Sequence, residues 1–127
     1  MAQLCVHGAG HYAPDGTPIT LGEWAVRFEG GPERFLARTR LPGRRLVSTI
    51  WLGLDLMCGH TERPIIFESS VFERPKAGGS HLGMVLDQLS YATRAEALAG
   101  HHELVRVWRG RAPGLEGQAP KEPKKYS

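Results

Sequence analysis

Leu46-Val47-Ser48-Thr49-Ile50-Trp51-Leu52-Gly53-Leu54-Asp55 and the later run Ile65-Ile66-Phe67-Glu68-Ser69-Ser70-Val71-Phe72-Glu73 decide the fold. Both are rich in β-branched and aromatic residues, and both alternate with the period of two that gives a strand distinct faces. In the first run Leu46, Ser48, Ile50, Leu52 and Leu54 share one face, and Val47, Thr49, Trp51 and Asp55 the other. In the second, Ile65, Phe67, Ser69 and Val71 oppose Ile66, Glu68, Ser70 and Phe72. The Gly59–Pro64 stretch between them is turn material. If the two strands pair with their more apolar faces inward, Thr49, Trp51, Asp55, Ile66, Glu68 and Phe72 gather on the opposite face.

Working outward, the Pro- and Gly-bearing stretch Arg74–Gly83 reads as a surface loop, and Met84–Tyr91 is predicted as the last strand. Thr93-Arg94-Ala95-Glu96 then has the capping-box pattern, opening a helix whose buried side carries Leu98, Leu104, Val105 and Trp108. Upstream, Glu33–Arg40 is predicted as a strand ending in the turn Leu41-Pro42-Gly43-Arg44. A second capping box, Thr20-Leu21-Gly22-Glu23, starts a helix over residues 21–29 that Gly30-Gly31-Pro32 stops. Gln3–His7 and the turn residues up to Gly16 predict a small N-terminal hairpin. These elements define an α+β fold: a small antiparallel sheet of four to six strands with two helices, the capped C-terminal helix packed on the sheet. Residues 1–110 form one domain, and 111–127 form a Pro- and Gly-rich tail.

The chain has 127 residues and a formal net charge of +3. That excess lies in the last nineteen residues, which hold five cations and two anions; residues 1–108 carry eleven of each. A neutral domain with a basic tail does not present the wide basic stripe that a long nucleic-acid track needs, so a nucleic-acid partner is not expected. No apolar run approaches the ~20 residues needed to span a bilayer. The N-terminus lacks the basic start and long apolar stretch of a secretory signal. The expectation is a cytoplasmic protein without membrane association, in which Cys5 and Cys58 read most simply as small buried thiols, with a bridge between them left open though nothing in the sequence favours it.

Three constellations could carry chemistry. Arg34, Arg38, Arg40, Arg44 and Arg45 gather around one hairpin, with Arg34, Arg38 and Arg40 on one strand face by their even spacing. Planar guanidinium forks suit phosphate or carboxylate recognition. The acidic-aromatic face of Thr49, Trp51, Asp55, Glu68 and Phe72 offers a binding surface. As an alternative, Asp55 and Glu68 could pair for metal-assisted hydrolysis, although no lysine follows Glu68 as in D…E-x-K nucleases. Finally, Cys58, His60 and His101 or His102, with Cys5 or His81, supply zinc-ligand types without a recognised ligand spacing. No metal and no cofactor are therefore expected, nor is there a P-loop, a G-x-G-x-x-G, a G-x-S-x-G or an H-E-x-x-H.

Leu46–Asp55, Pro64-Ile65-Ile66-Phe67-Glu68-Ser69, Val71-Phe72 and Tyr91-Ala92-Thr93…Glu96-Ala97…Gly100-His101 together resemble a family of small phage and prophage proteins. Its members share a V-S-T-x-x-L-G-L-D strand, a P-x-x-F-E-[ST]-x-V-F strand and a Y-x-T-x-x-E-A-x-x-G-H helix start. The likeness covers about half the chain. It departs at Leu56-Met57-Cys58-Gly59-His60-Thr61, which replaces a more polar, Gly-rich stretch. The resemblance implies a non-enzymatic, homo-oligomeric accessory protein that inhibits host antiviral defence. Such a protein would either sequester a nucleotide-type signal, as anti-Thoeris sponges do, or bind a host defence protein. On that reading the ligand is a phosphorylated small molecule or a host protein, held by the arginine hairpin and the acidic-aromatic face.

Overall fold

The structure, a computed structural model, describes residues 10–75 and 83–111. The first arm of the expected N-terminal hairpin, most of the Arg74–Gly83 loop and the tail from residue 112 lie outside the described residues. Helix α1 (Leu21–Gly30) and a single 3-10 turn (Pro32–Arg34) lead into four strands: β1 (Phe35–Leu41), β2 (Arg45–Trp51), β3 (Phe67–Glu73) and β4 (Met84–Tyr91). Helix α2 (Arg94–Arg109) closes the domain. The strands form one antiparallel sheet in the order β1-β2-β3-β4, and α2 packs against all four. The fold is the expected α+β class.

Both helix starts carry the expected Thr cap, but only α2 forms the full capping box; at α1 the Glu23 carboxylate bonds Arg27 and does not reach back to Thr20. The Thr20 hydroxyl accepts from the Glu23 N–H at 3.1 Å. At α2 the box is reciprocal: Thr93 accepts from the Glu96 N–H at 3.1 Å, and the Glu96 carboxylate accepts from the Thr93 N–H at 3.2 Å. Caps of this kind stabilise by about 1 kcal/mol each.

Three strand limits differ from the alternation pattern, each for a local reason; β3 begins at Phe67 and not at Ile65, whose N–H donates to the Asp55 carboxylate at 3.1 Å. Pro32 favours the first position of a helical turn, so residues 32–34 coil before β1 begins at Phe35. The first core strand ends at Trp51, not Leu54, because Gly53 adopts φ +74. A Cβ there would meet the Trp24 indole at 2.5 Å and the Trp51 ring at 2.7 Å, so only glycine fits. The bend turns the Leu52 carbonyl out of the ladder, where it accepts from Trp24 Nε1 at 2.8 Å.

The register settles the faces. Val47, Thr49 and Trp51 stand opposite Val71, Ser69 and Phe67, and this face lies under α2. Leu46, Ser48 and Ile50 stand opposite Phe72, Ser70 and Glu68 on the other face, against which no described helix packs. The expected grouping of Thr49 and Trp51 with Glu68 and Phe72 therefore does not form. Trp51 and Phe67 are the reason: they are the two largest fully buried side chains, and placing both under α2 removes more apolar surface from water than burying Leu46 and Ile50 there would.

Under α2 the core has two apolar clusters, Leu41, Val47, Val71, Leu104 and Trp108 at one end and Trp51, Ile66, Phe67 and Ala97 at the other. The buried stripe of α2 is Ala97, His101, Leu104 and Trp108, a helical 4-3-4 spacing. Leu98 and Val105, expected on that stripe, are half-buried at its flanks.

Candidate functional site

Between the two apolar clusters runs a polar row that draws on every strand. His101 on α2 is 1% exposed, and its ring meets Thr49 Oγ1 (β2) through Nδ1 at 2.7 Å and Thr39 Oγ1 (β1) through Nε2 at 2.9 Å. Thr49 in turn bonds Ser69 Oγ (β3) at 2.6 Å. Tyr91 of β4 brings its phenol beside Ser69, where the hydroxyl is buried without a hydrogen bond of good geometry. Gly100 lets that ring approach, since any Cβ there would overlap the Tyr91 side chain.

A neutral imidazole offers one donor and one acceptor, so one threonine donates to His101 and the other accepts from it. Burial, reinforced by the neighbouring His102, holds the His101 pKa below its ordinary value, while burial pushes the Tyr91 phenol up. The residue types are those of nucleophile and base, but Thr49 and Ser69 have no exposed surface for a substrate to reach. The row belongs to the interior.

The accessible chemistry lies on β1. Arg34 and Arg38 place their guanidiniums 4.7 and 5.2 Å from the centre of the Phe35 ring, and Arg34 also lies 5.0 Å from that of Phe28. Phe35 itself is 41% exposed. Behind it the rings continue: Phe28 stacks on Trp24 at 5.1 Å, Trp24 meets His11 at 5.3 Å, and Phe28 meets Trp51 at 6.3 Å. Arg40 follows Arg38 on the uncovered sheet face, about 7 Å along the strand. Among the described residues, Arg34, Arg38 and Arg40 make no ion pair and no hydrogen bond, and the Arg34 Nε–H is buried without an acceptor. Of the other arginines, Arg27 pairs with Glu23 and Glu33, Arg63 with Glu96 and Arg106 with Glu103, while Arg94 and Arg109 on α2 have no ion pair or hydrogen bond among the described residues. What sets Arg34 and Arg38 apart is the shared exposed ring.

The other expected site residues are dispersed. Arg44 sits in the β1–β2 turn at φ 61 and donates from Nε to the Arg74 carbonyl at 3.3 Å. Arg45 is 3% exposed on the helix side, donating to the Arg111 carbonyl at 3.1 Å and lying 5.2 Å from the Trp108 ring centre. Trp51 is buried under α2 and donates to the Tyr12 carbonyl at 3.0 Å.

Asp55, 5% exposed, caps the loop after β2: Oδ1 accepts from the N–H groups of Met57 (3.0 Å) and Ile65 (3.1 Å), and Oδ2 from that of Gly59 (2.8 Å). Glu68 and Phe72 share the uncovered face with Arg38 and Arg40, and desolvation raises the Glu68 carboxyl above its usual range. Arg34 is not on the strand face its spacing suggested. It stands in the 3-10 turn, and a bulge between Phe35 and Ala37 breaks the alternation, yet its guanidinium reaches the same ring as Arg38.

Cys58 is not the buried thiol expected from the sequence: it is disulfide-bonded, in a turn where it adopts φ 53. Cys5 lies outside the described residues. Cross-links of this kind persist in oxidising surroundings. His60 and His102 are exposed and His101 is buried among hydroxyls, so these residues do not converge; among the described residues no three His, Cys, Asp or Glu side chains are grouped to hold a metal ion. No helix among the described residues is long and apolar enough to cross a membrane.

Sequence reasoning missed Phe35 as the platform for two arginines, and missed His101 as the hub of the row. The signals were present: Phe35 lies between Arg34 and Arg38, and His101 is four residues from Ala97. Compared with protein-family models, curated proteins and solved structures, the chain matches none.

Proposed function

We propose that this chain is a non-enzymatic binding protein that captures an anionic partner at the β1 rim of its uncovered sheet face. The partner is a phosphorylated small molecule or an acidic protein. The observation that carries the reading is the set Arg34, Arg38 and Arg40: three guanidiniums without an anion or an acceptor among the described residues, two of them placed over one exposed ring. Guanidiniums positioned by stacking keep their N–H donors free, and a site ordered before binding loses less entropy when the ligand arrives. Capture without turnover is favoured by the surroundings. Glu68, the carboxylate of this face, is separated from β1 by the whole of β2, and Asp55 is committed to three backbone donors. In the setting implied by the motif resemblance, such a protein would sequester a nucleotide-type signal or dock a host protein.

The test is thermal stability of the purified protein with inorganic pyrophosphate and with a polyglutamate peptide, alongside the variant Arg34→Ala/Arg38→Ala/Arg40→Ala. Saturation at about a hundred times the dissociation constant should stabilise by about 2.7 kcal/mol. The wild type should shift with at least one of the two, the variant with neither, and the recovered anion should be intact. Equal shifts in wild type and variant would defeat the reading.

A further inference from the structure

We propose that the Arg34–Phe35–Arg38 stack, with Arg40 beside it, is a site for a nucleoside phosphate, the planar base lying on the stack and the phosphate taking the guanidinium donors of Arg38 and Arg40. This rests on the anion-capture reading and narrows its ligand.

Phosphate alone would engage the arginines and leave Phe35 in water. An acidic protein segment would match the charge but not the planarity. A ligand that is both aromatic and anionic uses every exposed feature. Phe35 is the exposed phenylalanine of the described chain, held at the sheet rim opposite Ile50. The two guanidiniums within 5.2 Å of its centre are themselves planar, and a base can stack on a guanidinium as it does on a ring.

The stack is anchored from behind. Arg34 is sandwiched in contact with Phe28 as well as Phe35, and Phe28 is fixed in turn by Trp24 and Trp51. Trp24 is tethered to the Leu52 carbonyl and Trp51 to that of Tyr12. A ligand therefore meets a platform already in place. Arg38 and Arg40 are exposed and share one strand face beside that platform, so both can offer donors to a phosphate held next to it.

The test compares ADP, inorganic pyrophosphate and adenosine by isothermal titration on the full chain, with Phe35→Leu and Phe35→Trp as variants. Leucine keeps apolar bulk without a ring at an exposed position, so folding is not at issue, and an unchanged melting temperature checks this. ADP should bind roughly five- to a hundred-fold tighter than pyrophosphate, the range base–aromatic stacking provides. Phe35→Leu should remove that preference, weakening ADP by a larger factor than pyrophosphate, and Phe35→Trp should increase it. Equal affinity for ADP and pyrophosphate, or a preference that survives Phe35→Leu, would overturn the stacking inference and leave anion capture standing. Binding of polyglutamate in preference to ADP would overturn it in favour of an acidic protein. Binding of none of these anions would overturn both readings.

Discussion

Acid should unfold this protein through His101. The imidazole is 1% exposed and bonds two threonine hydroxyls, with no carboxylate beside it. Protonation makes both ring nitrogens donors. Thr39 and Thr49 can each accept and Thr49 can still donate to Ser69, so the hydrogen bonds survive. What does not survive is neutrality: a cation would sit in a desolvated layer with His102 beside it, the ring centres 6.0 Å apart. The folded pKa therefore lies below the ordinary value of 6.5, which the unfolded chain keeps.

The sign follows. Below about pH 6.5 the unfolded state binds a proton that the folded state refuses, so stability falls as pH falls, by up to about 1.4 kcal/mol per pH unit until the folded pKa is reached. Above that window the contribution is flat. For a domain of this size the loss corresponds to about 4–8 °C in Tm per kcal/mol.

The assay is Tm by circular dichroism between about pH 5 and 7.5 for the wild type and His101→Gln, whose amide keeps a donor and an acceptor but does not titrate. The variant should be less stable at neutral pH and flatter below it, so the two curves approach each other towards acid. Glu68, with its raised folded pKa, changes stability in the opposite sense, but equally in both proteins. Parallel curves would refute the reasoning and move the acid sensitivity to other groups.

Three further outcomes follow from single contacts. Gly100→Ala, which helix propensity alone would favour by about 1 kcal/mol, should instead destabilise by about 1–3 kcal/mol because its methyl overlaps Tyr91, and Tyr91→Phe should relieve only part of this since the ring also clashes; urea midpoints decide. Asp55→Ala strips three N–H groups of a buried carboxylate and should cost about 2–4 kcal/mol in chemical denaturation while leaving anion affinity unchanged, whereas a ligand-binding Asp55 would change affinity too. Iodoacetamide should label Cys58 in protein purified without reductant only after reduction, as read by peptide mass; labelling before reduction would restore the free-thiol reading.

Much of the fold was legible because its signals are local. Met84–Tyr91 coincides with β4, and both capping boxes mark their helices, since a hydroxyl three residues ahead of a backbone N–H acts within one turn. Within β2 and β3 the alternation was also correct, while the bulge at Phe35/Ala37 breaks it in β1. What alternation cannot supply is which face of one strand joins which face of the next, because Leu46/Ile50 and Val47/Trp51 are both apolar enough to be buried. The choice depends on the helix arriving from elsewhere in the chain with a small Ala97 to admit Trp51 and Phe67. The site was legible in the same partial way. Arginine spacing located Arg38 and Arg40, but Arg34 reached the cluster through the Phe35 ring and not through strand periodicity, and Arg45 left it for Trp108.

The interior row and the rim are linked through register. A one-residue slip of any strand turns its side chains to the opposite face. Thr39, Thr49 and Ser69 must all point under α2 for His101 to have partners at both nitrogens, and a slip of β1 or β2 would leave a buried imidazole nitrogen unbonded, a loss of about 1–3 kcal/mol for each. Apolar packing alone would discriminate less, since Leu46 and Val47, or Ile50 and Trp51, are apolar on either face. The hydroxyls therefore give β1 a reason to keep one register although it is an edge strand with a bulge. With Thr39 directed inward, Arg38 and Arg40, its immediate neighbours, are directed outward onto the uncovered face. The polar row thus joins Trp51 and Phe67 in fixing the side of the sheet on which the arginines of the proposed binding site stand.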